Sequence, residues 1–513
     1  MDFLWNKVEA AVKKLSIQQK YAFISAVIAG VFSHGYAMGN NYIYHDATIL
    51  NGLGTTFGLG RWALGYAGLV NDMILGNYNL PFFNVAVSIL LIAVSAMVTV
   101  DVLKVSGKFL SVFIGAAFSV YPVVTSTFAY NFSAVFYFIA LLLAVLCVKK
   151  VSDGKLVCGV ILLVLSAGIY QAYLSVAVTL ALTLIMIELI DSDTEVKNII
   201  NNGIKFIITF IVSLVLYLII NKISFAIMKP PATGYQGADD MGALSIAKIP
   251  GRIIQTYLHF FYIKWNGINK AVFMWVLIMV FLVVALICIV TGMVQTGLKT
   301  AKVALFVVSV AVMPIAVNLV YLMSTNDNYS VHTLMRFATV FVLITPAVLM
   351  EKIMPDMWFK GGMLGCLASV ILTAIIVCYI YSNNIAYLKM NLVQEEMNSF
   401  FTVMQSRIVE TEGFKDDMPV CFIGEFNIVD NNLYDINEMY NNTVILGYEY
   451  NARDLINRES WKRYMAYHTG FAPNIIDAPG DTLSSEELAS MNAYPSADSI
   501  RIIDGIVTVK LAE

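Results

Sequence analysis

Over most of this chain apolar residues do not alternate or recur at helical spacing; they run on for about twenty positions at a time between short polar gaps. Such runs lie near 21–38, 81–101, 109–128, 131–148, 156–171, 173–189, 205–225, 271–293, 303–323, 338–351 and 361–381. A helix of that length crosses a hydrocarbon layer about 30 Å thick, so the pattern predicts a mainly α, polytopic transmembrane bundle of about 11 spans. The stretch 156–189 is too long for one span and divides at Tyr170-Gln171-Ala172-Tyr173, whose polar atoms need an aqueous or protein-lined helix end. Residues 1–20 differ: Phe3, Leu4, Val8, Val12 and Leu15 share one helical face and Lys7, Lys13 and Lys14 lie off it. That predicts an interfacial helix on the cytoplasmic membrane surface. The run after it lacks a small-residue cleavage pattern and is read as a span rather than a removable signal.

Composition agrees. Hydrophobic residues make up 59% and charged residues 13%, with a mean hydropathy of +0.74, against roughly half and a quarter in soluble chains. A soluble enzyme, a filament and a disordered scaffold are excluded together, because that much apolar surface needs lipid. The net charge is -3 and no basic tract is present, so nucleic acid is not expected as a partner. Cys147, Cys158, Cys288, Cys366 and Cys378 fall in apolar runs and Cys421 in a polar region, which supports neither a disulfide framework nor a metal cluster. No cofactor is expected. Asp239-Asp240 and Asn326-Asp327-Asn328 offer oxygen ligands of the kind a divalent cation takes, a pattern that solvated loops share.

Positive charge sets orientation. Lys104 and Lys108, Lys149, Lys150 and Lys155, Lys197 and Lys205, Lys299 and Lys302, and Lys352 and Lys360 all fall in gaps on one side, which is then cytoplasmic. The loops 39–80, 226–270 and 324–337 fall on the external side, with the tail 383–513. Loop 226–270 carries Lys229, Lys248, Arg252, Lys264 and Lys270 of its own, but long loops count little in this rule. Within it, Ile246 to Tyr262 mixes Ile and Phe with Lys248 and Arg252 and predicts a second interfacial helix. The domains are therefore 1–20, the membrane domain 21–382 and an external α/β domain 383–513. In the last, Asn391 to Glu410 continues the final span as a helix, Pro419 to Ile423 reads as a strand, and Ile500–Ile503 and Ile506–Leu511 flank an Asp504-Gly505 hairpin turn.

The central parts of the spans hold essentially no Asp, Glu, Lys, Arg or His, whereas ion-coupled transporters and pumps keep such groups near the midplane. Polar chemistry gathers instead in the first loop, where Gly39-Asn40-Asn41-Tyr42-Ile43-Tyr44-His45-Asp46 precedes the glycine-rich Gly52 to Gly60 and then Arg61-Trp62. The stretch from His34 through Trp62, with its Tyr-His-Asp element and Gly-Arg-Trp close, resembles the GtrII-type glucosyltransferases, multi-spanning enzymes of the GT-C class. Ile169-Tyr170-Gln171-Ala172-Tyr173, Tyr329-Ser330-Val331-His332-Thr333-Leu334-Met335 and Ala493-Tyr494-Pro495 before the hairpin agree, so the resemblance covers nearly the whole chain.

The resemblance implies an inverting hexosyltransferase, glucosyl by family habit. It would draw on an undecaprenyl- or other polyprenyl-phosphate-hexose and modify a cell-surface glycan, such as O-antigen, outside the bacterial cytoplasmic membrane. A lipid-sugar synthase and a flippase would supply the donor. Relatives carry two adjacent acids in the first loop, whereas Asp46 is followed by Ala47, a departure that weighs against two-carboxylate or metal-bridging chemistry. Asp46 then stands as general base for the attacking hydroxyl, with His45 orienting it or touching phosphate; capping a short loop helix is its alternative role. Arg61 is the candidate for the donor phosphate, because a guanidinium forks onto phosphate oxygens; anchoring beside Trp62 is the alternative. Arg336, with His332 one helical turn earlier, suits the same phosphate or a lipid headgroup. Asn41, Tyr44, Tyr170 and Gln171 are candidates for sugar and acceptor hydroxyls, or, for the last two, for holding a helix interface. Other readings of the same build are a polymerase or ligase with a lipid diphosphate donor, and a glycan or lipid flippase without covalent chemistry. Orientation is testable in intact cells: a Cys introduced at Ser484 should react with an impermeant thiol reagent and one at Ser152 should not, and the reverse pattern would invert every side assignment.

Overall fold

The computed structural model describes residues 6, 9–10, 12–41, 56–74, 76, 79–230, 248–263, 272–323, 331–354, 362–425, 455–483 and 485–511. Among them nine helices are long and apolar enough to cross a membrane, and the chain is a multi-pass helix bundle with a small sheet near its C-terminus. Helices α1 (Ile17–Gly39), α3 (Pro81–Val102), α4 with α5 (Lys108–Val120, Pro122–Phe128), α6 (Asn131–Ser152), α8 (Leu174–Ile190), α9 (Val196–Met228), α11 (Val272–Gln295), α12 (Thr300–Val317) and α15 (Met363–Glu410) match the apolar runs. The short α2 (Trp62–Ile74), α10 (Ile249–Leu258) and α13 (Leu319–Met323) lie between them.

Two of the expected spans are shorter helices. Helix α7 (Leu156–Ile169) has 14 residues and α14 (Phe341–Ile353) has 13; the latter is preceded by 3-10 turns at Thr333–Met335 and Phe337–Val340. The break at Tyr170 falls where the polar atoms place it: Tyr170 is extended, and a 3-10 turn, Gln171–Tyr173, leads into α8. The first span begins at Ile17 rather than at residue 21. Ser16 Oγ accepts from Gln19 N at 3.1 Å while Gln19 Oε1 accepts from Ser16 N at 2.8 Å, a reciprocal cap that separates this helix from the helical residues 12–14 before it. The helix expected within 246–262 forms as α10.

Burial sorts the helices. In Lys108–Phe128, 89% of the apolar stretch is buried, against 22% in α9, so α4 and α5 form the axis and α9 faces lipid. Helix α1 lies against α3 and α4, and α15 closes on α1, α4 and α11. At Gly115 the α1 and α4 backbones come so close that an added Cβ would run into the Ala22 carbonyl and the Ser25 hydroxyl, the close approach that small residues permit where lipid offers no hydrophobic drive.

Many of the buried polar groups are satisfied internally. Ser95, Thr99 and Thr179 donate to their own i−4 carbonyls at 2.8, 2.8 and 2.7 Å. Between helices, Ser166 donates to Ala140 O at 2.7 Å, Thr183 pairs with Thr345 at 2.7 Å, and Asn383 donates to Ser33 Oγ and Val120 O, both at 2.7 Å. His34 Nε2 lies 2.7 Å from Ser119 O. A carbonyl only accepts, so Nε2 carries the proton and Nδ1 accepts from Tyr387 OH at 2.7 Å.

The lysines that set orientation are gathered at one end of the bundle. Lys149 bridges Asp101 and Asp153 at 3.1 and 2.9 Å, Lys302 donates to the Asp191 carbonyl and Lys352 to that of Lys104. Buried Glu351 accepts from Ser106 N at 2.8 Å and Gly107 N at 3.0 Å, a carboxylate capping α4 from a distant part of the chain.

Helix α15 has 48 residues, roughly 70 Å at 1.5 Å per residue, and outruns the hydrocarbon layer. Its far end buries Phe400 and Phe401 against Trp461 of α16 (Leu455–Thr469). Beside it lies a sheet of β1 (Pro419–Ile423), β2 (Asn474–Ile475), β3 (Ile500–Ile503) and β4 (Ile506–Lys510) in the order β2-β1-β4-β3. The β3–β4 hairpin turns on Asp504 and Gly505 at φ 50 and 78, and β1 runs parallel to both its neighbours. Cys421, in polar surroundings in the sequence, is buried in the expected strand β1. Gly115→Ala is expected to destabilise the protein by about 1–3 kcal/mol through overpacking against backbone, read as a lower unfolding temperature in detergent. Gly203→Ala on α9, where a Cβ meets nothing, should not lower it.

Candidate functional site

The end of the bundle away from the lysines is where α7 stops and α8 begins, and there the first loop returns to the protein. Residues 56–60 form a turn: Gly60 N donates to Phe57 O at 3.1 Å and Arg61 N to Thr56 O at 2.8 Å. Gly60 takes φ +71, open to glycine without strain. Two buried side chains hold it. Gln171 Nε2 donates to Leu59 O at 2.8 Å and to Tyr217 OH at 2.9 Å, and Tyr217 OH donates to Gly60 O at 3.0 Å. A Cβ on Gly60 would stand 2.6 Å from the Tyr217 hydroxyl and 3.0 Å from Gln171 Nε2. Trp62, the first residue of α2, lies against Gly168 so closely that a Cβ there would meet its ring at 2.6 Å.

This anchoring directs Arg61. Its Nη1 donates to Tyr137 OH at 2.9 Å, and its guanidinium carbon lies 5.0 Å from the centre of the Tyr170 ring and 5.7 Å from that of Tyr137. Those rings stack on each other at 4.2 Å. Two electron-rich faces and a hydroxyl thus support the cation.

From Tyr170 an aromatic seam continues edge to face through Tyr173 at 5.4 Å and Phe337 at 6.1 Å to Tyr121 at 6.4 Å. Phe337 adjoins Arg336, which is 3% exposed, so the two cations stand at separate points along one seam. The Arg336 guanidinium lies 6.0 Å from the centre of the Tyr321 ring, and Tyr321 stacks on His259 at 4.3 Å. Thr339 Oγ1 donates to the Arg336 carbonyl at 2.6 Å and pairs with Tyr121 OH at 2.7 Å, fixing the turn.

Of the residues singled out by sequence, Arg61, Tyr170 and Gln171 come together. Arg336 joins them through the seam. His332 is the extended cap of a 3-10 turn, so the α-helical spacing that would align it with Arg336 does not apply. Asn41 is occupied elsewhere: its Oδ1 accepts from Asn79 Nδ2 at 2.8 Å and its carbonyl from Gln394 Nε2 at 3.0 Å, tying the start of the first loop to α15. Tyr44, His45 and Asp46 lie outside the described residues, as do Asp239, Asp240 and the 326–328 triplet. Among the described residues no group of three or more His, Cys, Asp or Glu has the arrangement of a metal site. Tyr137 and Tyr217 were not singled out by sequence; a tyrosine in an otherwise apolar span, toward the end away from the lysines, was the available signal.

A family model described as Glucosyl transferase GtrII matches residues 35–343, which takes in Arg61, Tyr137, Tyr170, Gln171, Tyr217 and Arg336. No curated protein and no solved structure matches the chain. Gly60→Ala should cost about 1–3 kcal/mol from the left-handed backbone and the collision with Tyr217. Because the collision needs the hydroxyl, Gly60→Ala with Tyr217→Phe should be destabilised by less than the sum of the two single changes; additive losses in thermal denaturation would remove the contact from the account.

Proposed function

The chain belongs to the GtrII glucosyl transferase family, and we propose that it moves a hexose, glucose on the family's description, from a polyprenyl phosphate to a cell-surface polysaccharide. The observation that carries this reading is Arg61, a guanidinium held on stacked Tyr137 and Tyr170 at the bundle end away from the lysine cluster. A forked cation on an aromatic support suits a phosphate on a lipid-linked donor entering from the side of the membrane.

The reaction proposed is a single displacement. The acceptor hydroxyl oxygen bonds to the anomeric carbon as the bond from that carbon to the phosphate oxygen breaks, which inverts the centre. Asp46 takes the hydroxyl proton, with His45 beside it in sequence to orient the carboxylate. The polyprenyl phosphate leaves as an anion and needs no proton; Arg61 and Arg336 balance its charge. This scheme requires no metal ion. Tyr170 and Gln171 act on Arg61, the one through its ring and the other through the Leu59 carbonyl, rather than on a sugar. Tyr44 is left for the substrate, and Asn41 and His332 act through the loops they terminate.

The lysine-rich end is assigned to the cytoplasm by the positive-inside rule, which puts the site on the outer face of a bacterial cytoplasmic membrane. Nucleotide sugars do not reach that face, so a synthase must build the lipid-linked hexose inside and a flippase must present it. Purified protein in liposomes should release polyprenyl phosphate from a labelled polyprenyl-phosphate hexose when acceptor is present, and should leave UDP-glucose untouched. Asp46→Asn should lower turnover by roughly 10²-fold or more with donor binding kept, whereas Arg61→Ala should weaken donor capture as well. Transfer from UDP-glucose in the absence of any lipid-sugar synthase would overturn the donor assignment.

A further inference from the structure

At the lysine-rich end, the last turns of α3, α6 and α8 and the early turns of α9 enclose a cavity of about 350 Å³. Its walls differ in charge. On one, Asp101 and Asp153 share a single lysine, Lys149, at 3.1 and 2.9 Å, which leaves one negative charge over. Around the other, Lys104, Lys205 and Lys302 stand in Coulombic range of two acids, Glu188 and Asp191, which leaves one positive charge over. The Glu188 carboxylate accepts from Asn202 Nδ2 at 3.2 and 3.3 Å. Lys205 Nζ donates to the amide oxygen of the same Asn202 at 3.2 Å and to no carboxylate among the described residues. Lys104 Nζ has no hydrogen-bond partner among them.

The position of Lys104 is imposed. Its φ is 49, a left-handed conformation unfavourable to any residue with a Cβ. The loop is clamped there by Lys352, which donates to the Lys104 carbonyl, and by Glu351, which holds the next turn through Ser106 N and Gly107 N. Backbone strain of this kind persists where the surroundings over-determine it, and it gathers at functional sites.

Depth identifies the source of the ligand. Helix α9 has 33 residues, roughly 50 Å, against a hydrocarbon layer of about 30 Å. Lys205, in its third turn, therefore lies near the headgroup boundary. Beyond Lys205 on the same helical stripe, Ile208, Ile211 and Val212 are exposed and offer a track for acyl chains.

We propose that this cavity binds the headgroup of a zwitterionic phospholipid carrying a primary ammonium, of the phosphoethanolamine type. The phosphate meets Lys104 and Lys205, and the ammonium meets the carboxylates of Asp101 and Asp153. An anionic headgroup without an amine would leave the surplus negative charge of that pair uncompensated, and a quaternary choline has no N–H to donate to it. The site lies at the opposite end from Arg61, and its occupation does not depend on the glycosyl-transfer reading.

Native mass spectrometry of the full-length protein, delipidated in detergent and titrated with dioleoyl lipids, tests this directly. Dioleoyl-phosphatidylethanolamine should bind about tenfold more tightly than the choline or glycerol lipid, the scale of one charge-assisted hydrogen bond. Lys104→Gly removes the ammonium while relieving the left-handed strain, and it should fold at least as stably as the wild type yet bind all three lipids several-fold more weakly, as should Lys205→Gln; Asp153→Asn, which removes the surplus negative charge beside Lys149, should lose the preference for the ethanolamine lipid. Equal binding of the three lipids, a preference for the glycerol lipid, an unchanged preference in Asp153→Asn, or unchanged affinity in both lysine variants would overturn the proposal. Soluble phosphoethanolamine binding as tightly as the lipid would overturn its assignment to a membrane lipid.

Discussion

Inside the bundle there is no water to receive a stray donor or acceptor, and an unsatisfied polar group there costs several kcal/mol. Each helix meets this constraint along its own backbone, and the side chains meet it by local devices. Ser95, Thr99 and Thr179 fold their hydroxyls onto their own helix. Where a polar side chain reaches further it becomes a tie, as His34 does between Ser119 and Tyr387, and Asn383 between Ser33 and Val120. The same constraint leaves ionised side chains only the two ends of the bundle, and each end uses them differently.

At one end the helical ladder is interrupted. The α7–α8 break at Tyr170 frees a short polar segment, and Gln171 brings an amide to the turn at Gly60. Tyr217, from the lipid-facing α9, completes the hold on that turn. The result is a cation positioned by backbone: Arg61 follows the clamped glycine directly, and its guanidinium lies on rings from α6 and from the break itself. Rigid support of this kind pre-organises the guanidinium, since the side chain does not have to be ordered by a ligand.

At the other end several charges are paired across helices, while others line the cavity between α3, α6, α8 and α9. Lys149 joins α3 to α6, Lys302 reaches the Asp191 carbonyl, and Glu351 supplies from α14 the cap that α4 lacks in its own sequence. These ties fix the helix ends laterally. The C-terminal unit is joined to the bundle by α15, whose unbroken length carries Phe400 and Phe401 out to meet Trp461.

The apolar runs, the break at Tyr170, the outward continuation of α15 and the Asp504-Gly505 hairpin were legible in the chain because each is a local property: the length of an apolar run, a polar interruption, a turn dipeptide. The first-loop motif carried the family resemblance, and the match over residues 35–343 agrees with it. Tyr137 and Tyr217 were not legible, since an isolated tyrosine in an apolar run has no spacing that distinguishes a lipid-facing residue from one that supports Arg61. Nor were the 3-10 form of 333–340, the part Gln171 plays at Gly60, or the parallel pairing of β1 with β4 across the length of the C-terminal unit. Those were decided by tertiary structure alone. Hydrophobicity dictates which segments enter the membrane, but it does not dictate which face of one helix meets which face of another, because lipid tails are as apolar as the side chains; shape and hydrogen bonding between distant segments make that choice.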